Sequence, residues 1–172
     1  MFSVTCSNLK SICLPQKEGD VGFDLIAASE PKIVGEQVGD SPYYSSIDYI
    51  EYDINLQIEP PNGWFGLVFP RSSVSSKNLQ LCNSVGVIDN GFRGSLKVRF
   101  NYLAQPKHLM IQKYIQDDYI NENFVTEVDM EKIYKKGERV AQLVFFRSLI
   151  PDLLEGNVSE TKRGDTGFGS TN

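Results

Sequence analysis

Residues 50–69, IEYDINLQIEPPNGWFGLVF, contain the pattern that decides the fold class. From Ile50 to Ile58 every second side chain is apolar and alternates with a charged or amide side chain, which is typical of a strand with one buried face. Residues 60–63 indicate a turn, and a continuous apolar run follows at once. We therefore predict a β-hairpin that pairs residues 50–59 with residues 64–69.

The same patterns elsewhere in the chain predict further strands and no long amphipathic helix. Residues 96–102 alternate in the same way, and residues 140–146 are predicted to form another buried strand. Asn90-Gly91 favours a type I′ hairpin turn, because both central positions of that turn need positive φ. Residues 35–46, GEQVGDSPYYSS, are interpreted as a loop. Together these patterns predict an all-β domain, either a barrel or a jelly roll.

Length, charge and cysteine content restrict the class of protein. The 172 residues favour one domain, which we place at residues 1–160. The net charge of −5 argues against a nucleic-acid-coating surface, and without an apolar run of about 18 residues no membrane span is expected. An odd count of cysteines without metal-ligand spacing indicates reduced thiols in an intracellular protein. The expected location is the cytoplasm, the nucleus or, for a viral protein, the cytoplasm of the host. We expect Cys82 in the core and His108, the single histidine, on the surface.

Two segments do not fit the strand pattern. Residues 105–130 are polar, aromatic and charged, and we interpret them as a surface insertion with a short helix at residues 109–119. Residues 161–172 contain three glycines and a single large apolar side chain, Phe168. Such a segment cannot bury enough surface to fold alone, so we expect a mobile C-terminal arm.

Several polar motifs carry groups that suit a phosphorylated ligand. Arg71 stands beside Ser72 and Ser73 after a buried strand, where the three side chains form either a phosphate cradle or an ordinary polar turn. Asp24 lies in apolar VGFDLIA, where a carboxylate needs a partner, either a metal-bound water or a capped backbone. Asp89 lies at the mouth of the predicted turn, where it either orients a water molecule or stabilises the turn.

In their order along the chain, these motifs resemble those of the trimeric dUTPase family. The five matching segments are VGFDLIA (21–27), PRSS (70–73), NSVGVIDNGFRG (83–94), GERVAQLVF (137–145) and RGDTGFGST (163–171). The resemblance implies a β-clip, jelly-roll-like subunit, a homotrimer with active sites shared between subunits, and a C-terminal arm that closes each site. It also implies hydrolysis of dUTP to dUMP and pyrophosphate with Mg²⁺.

The resemblance further implies roles for individual residues. Asp89 would orient the water that attacks the α-phosphorus, and Phe92 would pack against the deoxyribose and exclude a 2′-hydroxyl. Asp24 would hold a water on the Mg²⁺, which the triphosphate itself binds. Arg163 would reach the γ-phosphate, and Phe168 would stack over uracil. Ser72, Ser73 and Gln142 would hold the α- and β-phosphates, and Arg71 would support either the phosphates or the catalytic aspartate. The rest of the implied substrate-binding set is Asn83, Gly86, Val87, Ile88, Phe92 and Lys97, with Arg163, Phe168, Gly169 and Ser170 in the arm.

Two departures from the family pattern leave alternatives open. Phe92 stands where the family usually has tyrosine, which keeps the ring but loses a hydroxyl contact. The insertion at 105–130 is interpreted either as a tolerated surface loop or as an element that contacts a protein partner or the trimer. A dUTP-sensing regulator and a dCTP deaminase are the alternative functions. The deaminase is disfavoured because its catalytic glutamate would fall near Arg99, which is basic.

Overall fold

The structure, a computed structural model, describes residues 2–116 and 119–162. Within these residues the chain is built from β-strands joined by loops and short 3₁₀ helices. The strands are β1 (Thr5–Cys6), β2 (Ile12–Cys13), β3 (Phe23–Ile26), β4 (Lys32–Gln37), β5 (Tyr43–Asp53), β6 (Ile58–Glu59), β7 (Trp64–Pro70), β8 (Leu79–Leu81), β9 (Gly86–Ile88), β10 (Lys97–Tyr102), β11 (Leu109–Gln116), β12 (Tyr119–Glu127) and β13 (Arg139–Arg147). The 3₁₀ helices are Leu9–Ser11, Ser72–Ser76, Pro106–His108 and Met130–Lys132.

Two antiparallel sheets hold most of these strands. One has the order β2-β3-β13-β7-β9, and the other has the order β11-β12-β5-β10-β8 with β4 added along β5. A separate two-stranded pair joins β1 to β6. The all-β fold class predicted from the sequence is confirmed. In the part of the chain described above, no helix is both long and apolar enough to cross a bilayer.

The alternation seen in the sequence explains the core between the two sheets. The apolar positions of residues 50–58 and of β10 face inward, and Leu25 and Leu143 face them from the other sheet. An aromatic cluster of Tyr52, Phe100 and Tyr134 fills the centre, with the rings of Tyr52 and Phe100 edge to face at 5.8 Å between centroids. The hydroxyl of Tyr52 donates to the carbonyl of Tyr134 at 2.9 Å, so this buried polar group is satisfied.

The predicted hairpin of residues 50–59 with 64–69 is wrong. β5 ends at Asp53, and Asn55 has a φ of 51°, which interrupts the strand while Ile54 and Leu56 stay buried. The chain then crosses to the other sheet, where β7 pairs with β13 and β9 rather than with β5. Alternation therefore identified the buried side chains correctly but not their strand partner.

Residues 35–46 form a β-hairpin and not the predicted loop. β4 pairs with β5, with register shifts on either side of residues 35–36. Gly35 lies so close to its partner strand that an added Cβ would fall 2.1 Å from the carbonyl oxygen of Ser46. These irregularities break the simple alternation, which is why the pattern resembled a loop.

The insertion is also a β-hairpin, and the helix predicted at residues 109–119 is wrong. β11 pairs with β12 throughout its length, and β12 continues onto β5 through Thr126 and Glu127. The isoleucines and aromatic residues of this segment favour strands. His108, expected on the surface, is 6% exposed at the base of this hairpin, where its Nδ1 accepts from the backbone N–H of Gln105 at 3.1 Å.

Asn90 and Gly91 do not form the predicted type I′ turn. Neither residue has positive φ, and β9 pairs with β7 rather than with β10. The side-chain amide of Asn90 instead bonds the carbonyls of Pro60, Pro61 and Trp64. Cys82, expected in the core, is exposed. Neighbouring atoms still remove part of the water around its thiol, and this desolvation raises the pKa of the thiol.

Candidate active site

The segment NSVGVIDNGFRG presents a free strand edge. β9 is the last strand of its sheet and pairs only with β7 among the described strands, so its other edge keeps its own N–H and C=O groups for a ligand. Asn83 precedes this edge, and its amide lies over Gly86, where an added Cβ would fall 3.1 Å from Asn83 Nδ2. A cavity of about 350 Å³ borders the edge and is lined by Asn83, Gly86, Val87, Ile88 and Lys97, among others.

Asp89 directly follows this edge strand and is exposed. The backbone N–H of Phe92 donates to the carbonyl of Asp89 at 3.1 Å, and the Asn90 amide anchors the turn from the side. Phe92 is 43% exposed and lines a second cavity with Ile88 and Lys97. Its ring lies on Gly94, where an added Cβ would fall 2.6 Å from the ring. The segment thus holds a carboxylate and an aromatic ring on a fixed turn.

Lys97 is partly committed to an internal ion pair. Its Nζ lies 2.7 Å from Glu51 Oε1, and the guanidinium of Arg99 lies 2.8 Å from Glu51 Oε2. The hydrogen bond from Lys97, together with that from Arg99, holds the pKa of the Glu51 carboxyl below its usual value. Arg99 also stacks on the ring of Tyr49 at 4.3 Å. The Lys97 side chain is therefore oriented by Glu51, at the border of both cavities.

A second cluster is centred on the buried carboxylate of Asp24. Its Oδ1 accepts from Arg71 Nε at 2.8 Å and from Gln142 Nε2 at 3.2 Å, and its Oδ2 accepts from Arg139 Nη1 at 3.1 Å. Gly22 leaves room for Gln142, because a Cβ there would fall 3.3 Å from Gln142 Cδ. These side chains line a cavity of about 480 Å³. Two guanidiniums held on one carboxylate leave this cavity suited to an anion.

The predicted serines extend this cluster. Ser72 and Ser73 begin the 3₁₀ helix that follows β7 and Arg71. Ser73 Oγ lies 3.3 Å from Arg71 Nη1 and 3.2 Å from the hydroxyl of Tyr134, whose burial raises the pKa of that hydroxyl. Ser72 is exposed at the start of the helix. Four residues predicted from the sequence, Asp24, Arg71, Ser73 and Gln142, are therefore in one hydrogen-bonded network.

Asp89 is not part of that network. Ile88 pairs with Gly66 near one end of β7, whereas Arg71 follows Pro70 at the other end. Five residues of extended strand separate Gly66 from Arg71, which is about 17 Å. A single copy of the chain therefore does not bring the Asp89 carboxylate to the cluster around Asp24.

Arg139 is the residue that sequence reasoning missed. It lies three positions before Gln142, and simple alternation would put the two side chains on opposite faces of the strand. The register of β13 against β3 shifts between Arg139 and Ala141, so that both Arg139 and Gln142 reach Asp24. The only signal in the sequence was a charged residue at the start of an otherwise buried strand.

The predicted arm residues Arg163, Phe168, Gly169 and Ser170 lie outside the described residues.

Comparison with known proteins identifies the family. The sequence model of the dUTPase family matches residues 8–115 and 103–172. The deoxyuridine 5′-triphosphate nucleotidohydrolase of Escherichia phage T5 is 34% identical over 168 residues, which cover 92% of this chain and 91% of that protein. The mitochondrial enzyme of that name from Dictyostelium discoideum is 36% identical over 162 residues, covering 92% of this chain and 70% of that protein.

Solved structures agree with this result. The Staphylococcus bacteriophage 80alpha dUTPase with dUPNHPP is similar to this chain with a TM-score of 0.63 and 25% identity, covering 99% of this chain and 98% of that chain. The similarity in fold thus extends over nearly the whole chain. The chain therefore belongs to the dUTPase family.

Proposed function

We propose that this protein hydrolyses dUTP to dUMP and pyrophosphate, with a water molecule that Asp89 orients toward the α-phosphorus. The observation that carries the proposal is the free edge of β9, which is bordered by the Asn83 amide at one end and the exposed Asp89 carboxylate at the other. Membership of the dUTPase family and similarity to relatives named deoxyuridine 5′-triphosphate nucleotidohydrolase support it.

Uracil fits the free edge of β9 because both offer alternating donors and acceptors. The base presents an acceptor, a donor and an acceptor. The backbone N–H and C=O groups at Val87 and Ile88 can form hydrogen bonds with them, as they would with a neighbouring strand. Asn83 supplies a side-chain amide beside this edge. Phe92 would pack against the deoxyribose, where a ribose 2′-hydroxyl would meet the ring. Uridine and cytidine nucleotides are then both poor ligands.

The Asp24 cluster supplies the phosphate contacts. Arg71 uses Nε and Nη1 for Asp24 and Ser73 within the described residues, which leaves Nη2 for a phosphate oxygen. The hydroxyls of Ser72 and Ser73 and the amide of Gln142 would donate to the α- and β-phosphates. Catalysis of phosphoryl transfer rests mainly on such positioning and charge neutralisation.

The bond changes in the reaction are simple. The oxygen of the oriented water bonds to the α-phosphorus while the bond from that phosphorus to the bridging oxygen of the β-phosphate breaks. Pyrophosphate leaves with the electron pair, and the proton of the water passes to the Asp89 carboxylate and then to solvent. Asp89 is exposed and held at the end of a strand, so its contribution is orientation of the water as well as acceptance of the proton.

Mg²⁺ is compatible with the residues of the cluster. It supplies neutralisation of the charge on the phosphates when bound. Asp24 Oδ2 accepts one hydrogen bond from Arg139 within the described residues, which leaves a lone pair for a metal-bound water. Oxygen ligands of this kind suit a hard cation that keeps several waters. A phage phi11 dUTPase structure from S. aureus, similar to this chain in fold, was solved with a structural Mg(II) ion.

A homotrimer would bring the two half-sites together. Asp89 and Arg71 lie at opposite ends of β7, so a complete site needs Asp89 from one copy and the phosphate cluster from its neighbour. Residues 149–158 also suggest contact with another copy, because Leu149, Ile150, Leu153, Leu154 and Val158 are each at least 88% exposed. An aliphatic segment of this kind gains free energy only when another surface covers it. It leads toward the arm residues Arg163, Phe168, Gly169 and Ser170, which would close the site over dUTP.

Hydrolysis in H₂¹⁸O with a panel of nucleotides tests this function. The protein with Mg²⁺ should release pyrophosphate rapidly from dUTP and slowly from dTTP, dCTP and UTP, and mass spectrometry should find ¹⁸O in dUMP. Label in pyrophosphate would contradict attack at the α-phosphorus, and comparable rates with dTTP or UTP would contradict the substrate. Release of ammonia from dCTP would support the deaminase instead. The structure disfavours that function, because the guanidinium of Arg99 pairs with Glu51 and cannot act as a general acid and base.

A second candidate function is binding of a protein partner through residues 105–130. The observation that favours it is the outer face of the β11–β12 hairpin, where Leu109, Ile111 and Phe124 are 50%, 54% and 75% exposed. Replacement of residues 111–124 by a short turn leaves the buried Val125 and the pairing of Thr126 and Glu127 with β5 in place. This variant should keep dUTP turnover and the trimeric state while losing capture of the partner from a lysate of the source cell. A deletion variant that keeps every interaction of the intact protein would rule this role out.

A further inference from the structure

The loop of residues 14–22, between β2 and β3, lines the cavity of about 480 Å³ beside the Asp24 cluster. Arg71, Arg139 and Gln142 line the same cavity. Apart from its last two residues, the loop lies outside the five segments that resemble the dUTPase motifs. Two charged residues of the loop, Lys17 and Asp20, nevertheless line the same cavity of about 480 Å³ as the Asp24 cluster.

Lys17 is held at the rim by a tight turn. The backbone N–H of Lys17 donates to Asp20 Oδ2 at 3.1 Å, and the backbone N–H of Asp20 donates back to the carbonyl of Lys17 at 3.1 Å. Gly19 completes the turn with a φ of 91°, which glycine adopts without strain. The backbone and Asp20 fix this turn, so the ammonium group of Lys17 is not required to form it.

The charges of the cavity leave Lys17 uncommitted. Arg71 and Arg139 both pair with Asp24, so part of their charge is already neutralised. Within residues 2–116 and 119–162, the ammonium of Lys17 takes part in no ion pair and no side-chain hydrogen bond. A lysine on a flexible stem is a mobile point charge that suits phosphate oxygens at the edge of a site.

We propose that Lys17 binds the β- and γ-phosphates of dUTP and so contributes to selection of the triphosphate over dUMP. The inference rests on the proposed function, in which the Asp24 cluster and the serines hold the phosphates nearest the nucleoside. With the α-phosphate beside Ser72 and Ser73, the γ-phosphate end of the triphosphate would extend toward the loop of residues 14–22. Lys17 adds the positive charge that the paired arginines lack there.

The test is a series of binding measurements by calorimetry with Mg²⁺ and three ligands, dUMP, dUDP and the imido analogue dUpNHpp. We expect Lys17→Met to weaken binding of dUpNHpp about tenfold, dUDP less, and dUMP within error. Lys17→Arg should keep most of the affinity, and the loss should shrink at high salt. Lys10→Met is the matched control, because it removes an exposed lysine that does not line the cavity.

The outcomes separate this inference from the proposed function when Ser72→Ala is measured alongside. Weaker binding of dUpNHpp by Ser72→Ala with unchanged binding by Lys17→Met overturns the role of Lys17 alone. Unchanged binding by both variants overturns the role of Lys17 and also the phosphate contact that the proposed function gives to Ser72. An equal loss for dUMP and dUpNHpp, or the same loss in Lys10→Met, also overturns the inference, because a general electrostatic field would then explain the effect.

Discussion

Asn83 and Gly86 show how the absence of one side chain positions another. The Asn83 amide occupies the space over Gly86, within 3.1 Å of where a Cβ would lie, and Val68 closes the other side at 3.4 Å. A larger residue at position 86 must therefore push the amide away from the strand edge that is proposed to read uracil. Sequence reasoning named both residues, but only the structure shows that one depends on the other.

Gly86→Ala should weaken substrate binding more than it slows the chemical step. Displacement of the Asn83 amide should raise KM for dUTP about fivefold, which corresponds to about 1 kcal/mol, while kcat changes less than twofold. Steady-state kinetics of pyrophosphate release measures both constants. Gly156→Ala is the control, since an added Cβ there meets nothing within 4 Å. A fall in kcat with unchanged KM would contradict the role given to Asn83.

Glu51 should make stability depend on pH. Hydrogen bonds from Lys97 and Arg99 lower the pKa of this carboxyl in the folded state, so its stabilising effect is present above the unfolded-state pKa and is lost as the pH falls through the folded-state pKa. Glu51→Gln should lower the free energy of unfolding at pH 7 by about 1–2 kcal/mol. The difference between variant and wild type should narrow below about pH 4. Urea unfolding at several pH values checks this, and a difference independent of pH would contradict it.

Among the elements, the β11–β12 hairpin separates a structural face from an exposed face. Val125 is 3% exposed and faces the body of the protein, whereas its neighbour Phe124 is 75% exposed on the opposite face. Val125→Ala should therefore destabilise the protein by about 2 kcal/mol, and Phe124→Ala should change stability by less than about 0.5 kcal/mol. Urea unfolding of the two variants makes the comparison. Equal destabilisation would mean that the outer face is covered within the molecule.

The elements also show what sequence patterns can and cannot predict. Alternation identified β10, β13 and the buried side chains of residues 50–58, because burial on one face requires it. It could not identify strand partners, since pairing depends on contacts distant in sequence, and it failed where bulges or glycines break the period, as at Gly35. Arg139 was missed for the same reason, because a register shift in β13 brings it to Asp24.

For the whole molecule, the separation of Asp89 from Arg71 means that the proposed mechanism requires two copies of the chain at each site. The five motifs identified the dUTPase family from the sequence alone, but their order along the chain does not show which copy supplies each part of the proposed site. The geometry of β7 supports a site shared between copies, because the length of this strand separates Asp89 from Arg71. Dilution below the dissociation constant of the trimer should therefore abolish turnover along with the oligomer.

The most direct test of the account is dUTP turnover by mixed trimers of two inactive variants. Asp89→Asn removes the carboxylate proposed to orient the water, and Arg71→Met removes a proposed phosphate contact while Asp24 keeps Arg139 and Gln142 as partners. Each variant alone should be nearly inactive. Equal coexpression should restore about a quarter of the wild-type rate, because each site draws its two halves independently from neighbouring copies. Mixed trimers no more active than either variant would contradict a site in which Asp89 of one copy acts on phosphates held by another.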